Sequence, residues 1–75
     1  MKSRWVVKNN VRKFRLAAGK TQTALAEEVG VSRQTIISLE QRTVDPSLSL
    51  GIRIARALAR PLEEVFFLDG HFGGK

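Results

Sequence analysis

Apolar residues recur along this chain at helical intervals, and the intervals break at a few sharp points. In "VRKFRLAA", Val11, Phe14 and Ala18 fall at i, i+3 and i+7. Asn9-Asn10 supplies a cap before this segment and Gly19 a stop after it. Thr21 then caps "QTALAEEV", which turns Leu25, Ala26 and Val29 inward until Gly30 ends it. Only Val31 stands between Gly30 and Ser32, the cap of a third helix, "RQTIISLEQ", with Ile36, Leu39 and Thr35 on its inner side. "RTVDP" breaks the period, and Asp45-Pro46-Ser47 is turn chemistry with Ser47 as the next cap. A fourth helix follows from about Leu48 to Leu58, with a stripe of Leu48, Gly51, Ile54, Ala55 and Leu58. Gly51 costs that helix about 1 kcal/mol against Ala, which predicts a close approach by another backbone. Pro61 restarts the chain at a first-turn position, and "LEEVFF" forms a short fifth helix with Glu63 and Glu64 at its start.

The ends read differently. "RWVV" and "VFFL" are rich in strand formers. Each is a candidate short edge strand, able to pair with the other or with a second subunit. Alternatively, Trp5, Phe66 and Phe67 cover the helical core. "GHFGGK" reads as a loose tail, and His71 as a residue of that tail. The pattern divides the chain into an N-terminal extension (1–9), a helical domain (10–67) and a C-terminal tail (68–75).

Composition narrows the function classes. Seventy-five residues make one small domain, with little room for a deep catalytic cavity. There is no cysteine, a single histidine, no metal-ligand cluster, no phosphate-cradling glycine loop and no nucleophile–base pair at a workable spacing. The sequence therefore predicts no cofactor, no metal and no enzyme activity. No apolar run reaches the roughly 20 residues that span a bilayer, and the apolar stretch of "MKSRWVVK" is short for a secretion signal. The expected location is the cytoplasm.

Charge adds a partner. Thirteen Lys and Arg face seven acids, for a net charge of +6. Residues 1–20 hold Lys2, Arg4, Lys8, Arg12, Lys13, Arg15 and Lys20 and no acid. Such asymmetry suits a polyanion, either nucleic acid or anionic lipid. The lipid alternative weakens because the apolar face of the basic first helix is needed by the bundle.

The tight connection through Gly30 has the spacing of a helix-turn-helix. Glycine tolerates the positive φ of such a turn, Val31 plugs the angle, and the first turn of the third helix points away from the body. Its polar residues then have a purpose. Gln34 can bond adenine N6 and N7, and Arg33 guanine O6 and N7 or a phosphate. Ser38, at i+4 from Gln34, faces the same way, and Ile37 can touch a thymine methyl. Gln22 and Thr23 open the preceding helix, whose positive end suits a phosphate oxygen. Arg42 and Thr43 follow the third helix and can hold another.

"VRKFRLAAGKTQTALAEEVGVSRQTIISLEQ", followed by "DPSLSL", "IARAL" and "LEEVF", resembles the Cro/C1-type helix-turn-helix regulators, often called XRE-like. The resemblance covers residues 10–67 or so. It implies an all-α, five-helix, lambda-repressor-like bundle, with room for a short terminal strand, that binds operator DNA as a two-fold homodimer and regulates transcription, in a repressor's role. It also implies DNA contacts at Gln22, Arg33, Gln34 and Ser38. An ion pair between Arg15 and Glu40 would join the first helix to the third. The expected dimer surface is the fifth helix with an end segment, through Leu62, Val65, Phe66 and Phe67. Two places depart from the family pattern: the loop after Glu40 has Arg42 and Thr43 where relatives often have a glycine, and Ala59-Arg60 replaces a common Gly-hydrophobic pair. An alternative within the family is an antitoxin that binds a protein toxin and its own operator.

Overall fold

The computed structural model describes residues 7–68. Lys2, Arg4 and Trp5, and the tail with His71, lie outside the described residues. Seven elements follow in order: β1 (Val7–Asn9), α1 (Val11–Ala17), α2 (Gln22–Val29), α3 (Arg33–Glu40), α4 (Leu48–Ala57), α5 (Leu62–Val65) and β2 (Phe66–Leu68). The five helices of the apolar pattern are present, and a short strand near each end pairs with the other. β2 falls within "VFFL", whereas β1 shares only Val7 with "RWVV", whose Arg4, Trp5 and Val6 lie outside the described residues. β1 and β2 are antiparallel, with Val7 opposite Leu68 and Asn9 opposite Phe66. The expected division between residues 9 and 10 passes through this tied region: the Asn10 amide donates to the Val65 carbonyl at 2.8 Å.

Capping sets the helix starts. Thr21, Ser32 and Ser47 each adopt extended backbone, and each side-chain oxygen accepts from the amide three residues on. α1 starts otherwise. Asn10 makes no side-chain cap; instead Asn9 Oδ1 accepts from the Val11 amide at 3.1 Å. Pro61 stands just before α5, at the N-cap, and not inside its first turn.

The core draws on every helix. Val11, Leu25, Ile36, Leu39, Ile54 and Val65 are its largest enclosed side chains. Four expectations change. Ala18 is exposed, and Arg15 takes the inward place beside Phe14. In α4 the buried leucine is Leu50, whereas Leu48 is 72% exposed. Leu48 lies at the tip of the helix, so its turn overhangs the core and borders a surface groove. Gly51 faces the side chains of Leu62 and Phe66, at 3.7 and 3.8 Å from a built Cβ, and not a neighbouring backbone. "LEEVFF" is helical only to Val65; Phe66 turns to φ −128°, ψ 132° and starts β2, because pairing with β1 satisfies a backbone that a further helical turn would leave on the surface.

Among the described residues, two other than glycine adopt positive φ: Arg42 at 62° and Ala59 at 57°. These are the two places where the sequence departs from a glycine-bearing pattern. Each follows a helix end that must reverse the chain, a place that glycine fills without Cβ strain.

Candidate nucleic-acid interface

α2 and α3 meet through Gly30, Val31 and Ser32. Gly30 sits at φ 80°, ψ 34°, in the left-handed region. The amides of Gly30 and Val31 both donate to the Ala26 carbonyl, at 2.9 and 3.0 Å, and close the end of α2. Val31 packs against the core and Ser32 caps α3, with Oγ 3.2 Å from the Thr35 amide. Arg53 of α4 donates its guanidinium to the Val29 carbonyl, adding a cation at the negative end of α2. The turn is therefore held from three sides.

This geometry leaves the first turn of α3 in solvent. Arg33 and Gln34 are exposed, and Ile37 and Ser38 are half-buried on the same flank. Gln34 Nε2 lies 3.3 Å from Ser38 Oγ, a weak bond that lays the amide along the helix. The loop after α3 folds back onto this flank. Both the amide and the hydroxyl of Thr43 donate to the Ser38 carbonyl, at 3.0 and 3.1 Å, and Arg42 beside it is exposed.

Gln22 and Thr23 open α2 next to this surface. Thr23 is exposed. Gln22 is half-buried, and its Nε2 donates to Glu40 Oε1 at 3.1 Å. The same carboxylate accepts from Arg15 Nε at 2.7 Å and Nη2 at 3.2 Å. Arg15 Nη1 in turn donates to the Lys20 carbonyl at 2.9 Å. One buried carboxylate thus ties α1, the start of α2 and the end of α3 together. Gln22 is part of this frame, a bond that residue type alone does not reveal.

Sequence reasoning passed over three positioning residues. Asn9 donates Nδ2 to the Leu39 carbonyl at 2.8 Å, joining β1 to the end of α3. Lys20 Nζ reaches Glu28 Oε1 at 2.6 Å and the Ala57 carbonyl at 2.8 Å. Arg53 is the third. The carbonyls they reach lie 30, 37 and 24 residues away, so no local signal marks those bonds. The expected interface set separates in space. Val65 is fully enclosed in the core and has no surface to offer a second subunit. Leu62 and Phe66 are half-buried and Phe67 is 37% exposed. These three, with Leu48 and Leu68, line an apolar groove of about 610 Å³. No helix of the described residues is long and apolar enough to cross a membrane.

Comparison with known proteins agrees with this geometry. The family described as Helix-turn-helix matches residues 11–65. An uncharacterised HTH-type transcriptional regulator of Methanothermobacter thermautotrophicus is 55% identical over 60 residues, spanning 79% of this chain and 87% of that protein. A second, from Archaeoglobus fulgidus, is 41% identical over 63 residues, 84% of this chain and 90% of its own. The uncharacterised HTH-type transcriptional regulator YgzD of Bacillus subtilis is 40% identical over 63 residues, 84% and 96% respectively.

Proposed function

The chain belongs to the Cro/C1-type helix-turn-helix family of transcriptional regulators, and from that premise we propose that it binds operator DNA sequence-specifically as a homodimer and represses transcription. α3 enters the major groove by its first turn. Gln34 reads adenine, Arg33 reads guanine or holds a phosphate, Ser38 adds a polar contact and Ile37 an apolar one. Gln22 and Thr23 meet one backbone phosphate, Arg42 and Thr43 another. Control comes from protein level, dimerisation or a partner, and the work is done in the cytoplasm.

One observation carries this reading. Arg33 is exposed and has no ion pair or hydrogen bond from its side chain among the described residues, at the head of a helix whose every other anchor is internal. A long cationic side chain left unpaired on a braced helix is a group awaiting an anion or a base edge.

The second subunit occupies the apolar groove. Leu48 and Leu68 are 72% and 60% exposed there, beside Phe67, and a second copy would cover them. Two-fold pairing sets the reading helices about 34 Å apart, one turn of DNA.

Selection from a random DNA pool, run beside a mass measurement of free and bound protein, tests the whole reading. The expected result is a two-fold symmetric site with half-sites one turn apart and a dimer on DNA. A monomer on an asymmetric site overturns the dimer. A pool without enrichment overturns sequence-specific binding. A monomer that co-purifies with a different protein on the groove returns the antitoxin reading.

A further inference from the structure

A second hollow, of about 320 Å³, lies between the end of β1, the outer side of α1 and the loop after α3. Arg12, Lys13 and Arg42 line it, with Asn10 and Glu40. All three cations are exposed. Arg12 and Arg42 have no ion pair or side-chain hydrogen bond among the described residues. The Lys13 ammonium lies over the Phe14 ring, 5.6 Å from its centroid, a weak cation–π contact on an otherwise exposed side chain.

The acid in this hollow does not offset them. Both oxygens of Glu40 are engaged by Arg15 and Gln22, and its side chain is 5% exposed. The hollow therefore presents three cations against a carboxylate already paired. This locates part of the basic surplus in the first twenty residues. Arg15 is committed to Glu40, and Lys20 to Glu28 and the Ala57 carbonyl. Arg12 and Lys13 have no such carboxylate or carbonyl partner among the described residues, and the contact of Lys13 with the Phe14 ring leaves its charge uncompensated.

Position gives the partner. Arg42 stands next to Thr43, which is bonded to the Ser38 carbonyl on the proposed reading flank. The floor of the hollow is Glu40, which also holds Gln22 at the start of α2. The cationic surface is thus continuous with the surface that would face DNA. We infer that this hollow is an additional phosphate site, in which Arg12 and Lys13 together with Arg42 hold the DNA backbone outside the base-reading contacts. The inference rests on the DNA-binding reading and extends its footprint onto α1. Guanidinium forks suit phosphate oxygens, and a polyanion gains counterion release that a free anion does not supply. A lipid surface fits less well, since Leu16 is the one large apolar side chain lining the hollow.

The test is the salt dependence of binding to a random-sequence duplex of about 30 base pairs, followed by fluorescence anisotropy from about 50 to about 200 mM salt. Each phosphate contact contributes about 0.9 to the log–log slope. The Arg12→Ala, Lys13→Ala double variant is expected to lower the slope by nearly 2, so that its affinity falls about 12-fold less than wild type over that range. Arg12→Ala alone lowers it by about 0.9. Arg56→Ala removes an exposed charge from α4, outside the hollow, and is expected to leave the slope unchanged. An unchanged slope in the folded double variant overturns the inference while DNA binding stands. An equal change in Arg56→Ala also overturns it, by reducing the effect to net charge. Wild-type protein that fails to bind the duplex at any salt removes both the inference and the reading beneath it. A parallel arm uses phosphatidylcholine vesicles with about a third phosphatidylserine. Vesicle binding lost in the double variant, with the duplex slope intact, assigns the hollow to membranes and sinks the DNA site.

Discussion

Arg15 Nε lies 2.7 Å from Glu40 Oε2, and the two side chains are only 7% and 5% exposed. The pair joins α1 to the last residue of α3, across 25 positions of sequence. Because the carboxylate also accepts from Gln22, its loss loosens all three helices that frame the proposed reading surface. Glu40→Ala leaves a buried guanidinium without its counter-ion and is expected to destabilise the fold by about 3–5 kcal/mol. Urea unfolding measures this. The paired replacement Arg15→Met, Glu40→Leu removes both charges and should unfold at higher urea than Glu40→Ala. If the single change proves the milder one, an uncompensated buried charge is not what destabilises it.

Positive φ at Ala59 and Arg42 predicts a second set of effects. A side chain in the left-handed region costs roughly 1–2 kcal/mol, partly offset by the larger unfolded-state entropy of glycine. Ala59→Gly is therefore expected to raise stability by up to about 1 kcal/mol. Arg42→Gly should relieve the same strain while removing a proposed phosphate contact. Its melting temperature rises, and the salt slope of DNA binding drops by about one. The two readouts moving in opposite directions is the distinguishing outcome; a fall in both would mean that Arg42 supports the fold.

Glycines 30 and 51 should respond to alanine with opposite signs. At Gly30 the φ of 80° makes any Cβ strained, so Gly30→Ala is expected to cost about 1–2 kcal/mol. At Gly51 the backbone is helical, and a Cβ would meet Leu62 and Phe66 at ordinary contact distance. Gly51→Ala should stabilise by about 1 kcal/mol. Thermal denaturation of the two variants side by side decides it, and destabilisation by both would show that the α4 contact tolerates no added methyl.

Gln34→Ala tests direct readout. The expected loss is about 1–3 kcal/mol of discrimination at one base position, with little change elsewhere in the site. Binding to a panel of single-base operator variants measures it. Uniform weakening on every duplex would make Gln34 a backbone contact.

Phe67→Glu tests the groove. Phe67 is 37% exposed, so the change should leave folding largely intact while placing a charge where the second subunit is proposed to sit. Sedimentation is expected to show dissociation to monomers and DNA titration a weaker, non-cooperative isotherm. A variant that remains dimeric places the subunit contact elsewhere.

The helical period, the caps at Thr21, Ser32 and Ser47, and the stop at Gly30 are local physics, and they determined the five helices, the tight turn and the helix start that carries Arg33 and Gln34. Strand propensity at both ends left several pairings open; tertiary structure decided that β1 pairs with β2, because the last turn of α5 brings Phe66 alongside Asn9. Periodicity assigned Leu48 the right side of α4 but not the right depth, since a helix tip can overhang the core it points toward. The dimer surface expected from the family likeness included Val65, but packing closes the core over it. The shared carboxylate of Glu40, the bond from Asn9 to Leu39, the bond from Arg53 to Val29 and the basic hollow beside α1 all join residues distant in sequence. Local propensity carries no information about such meetings. They exist only once burial of the common core has fixed where each helix lies.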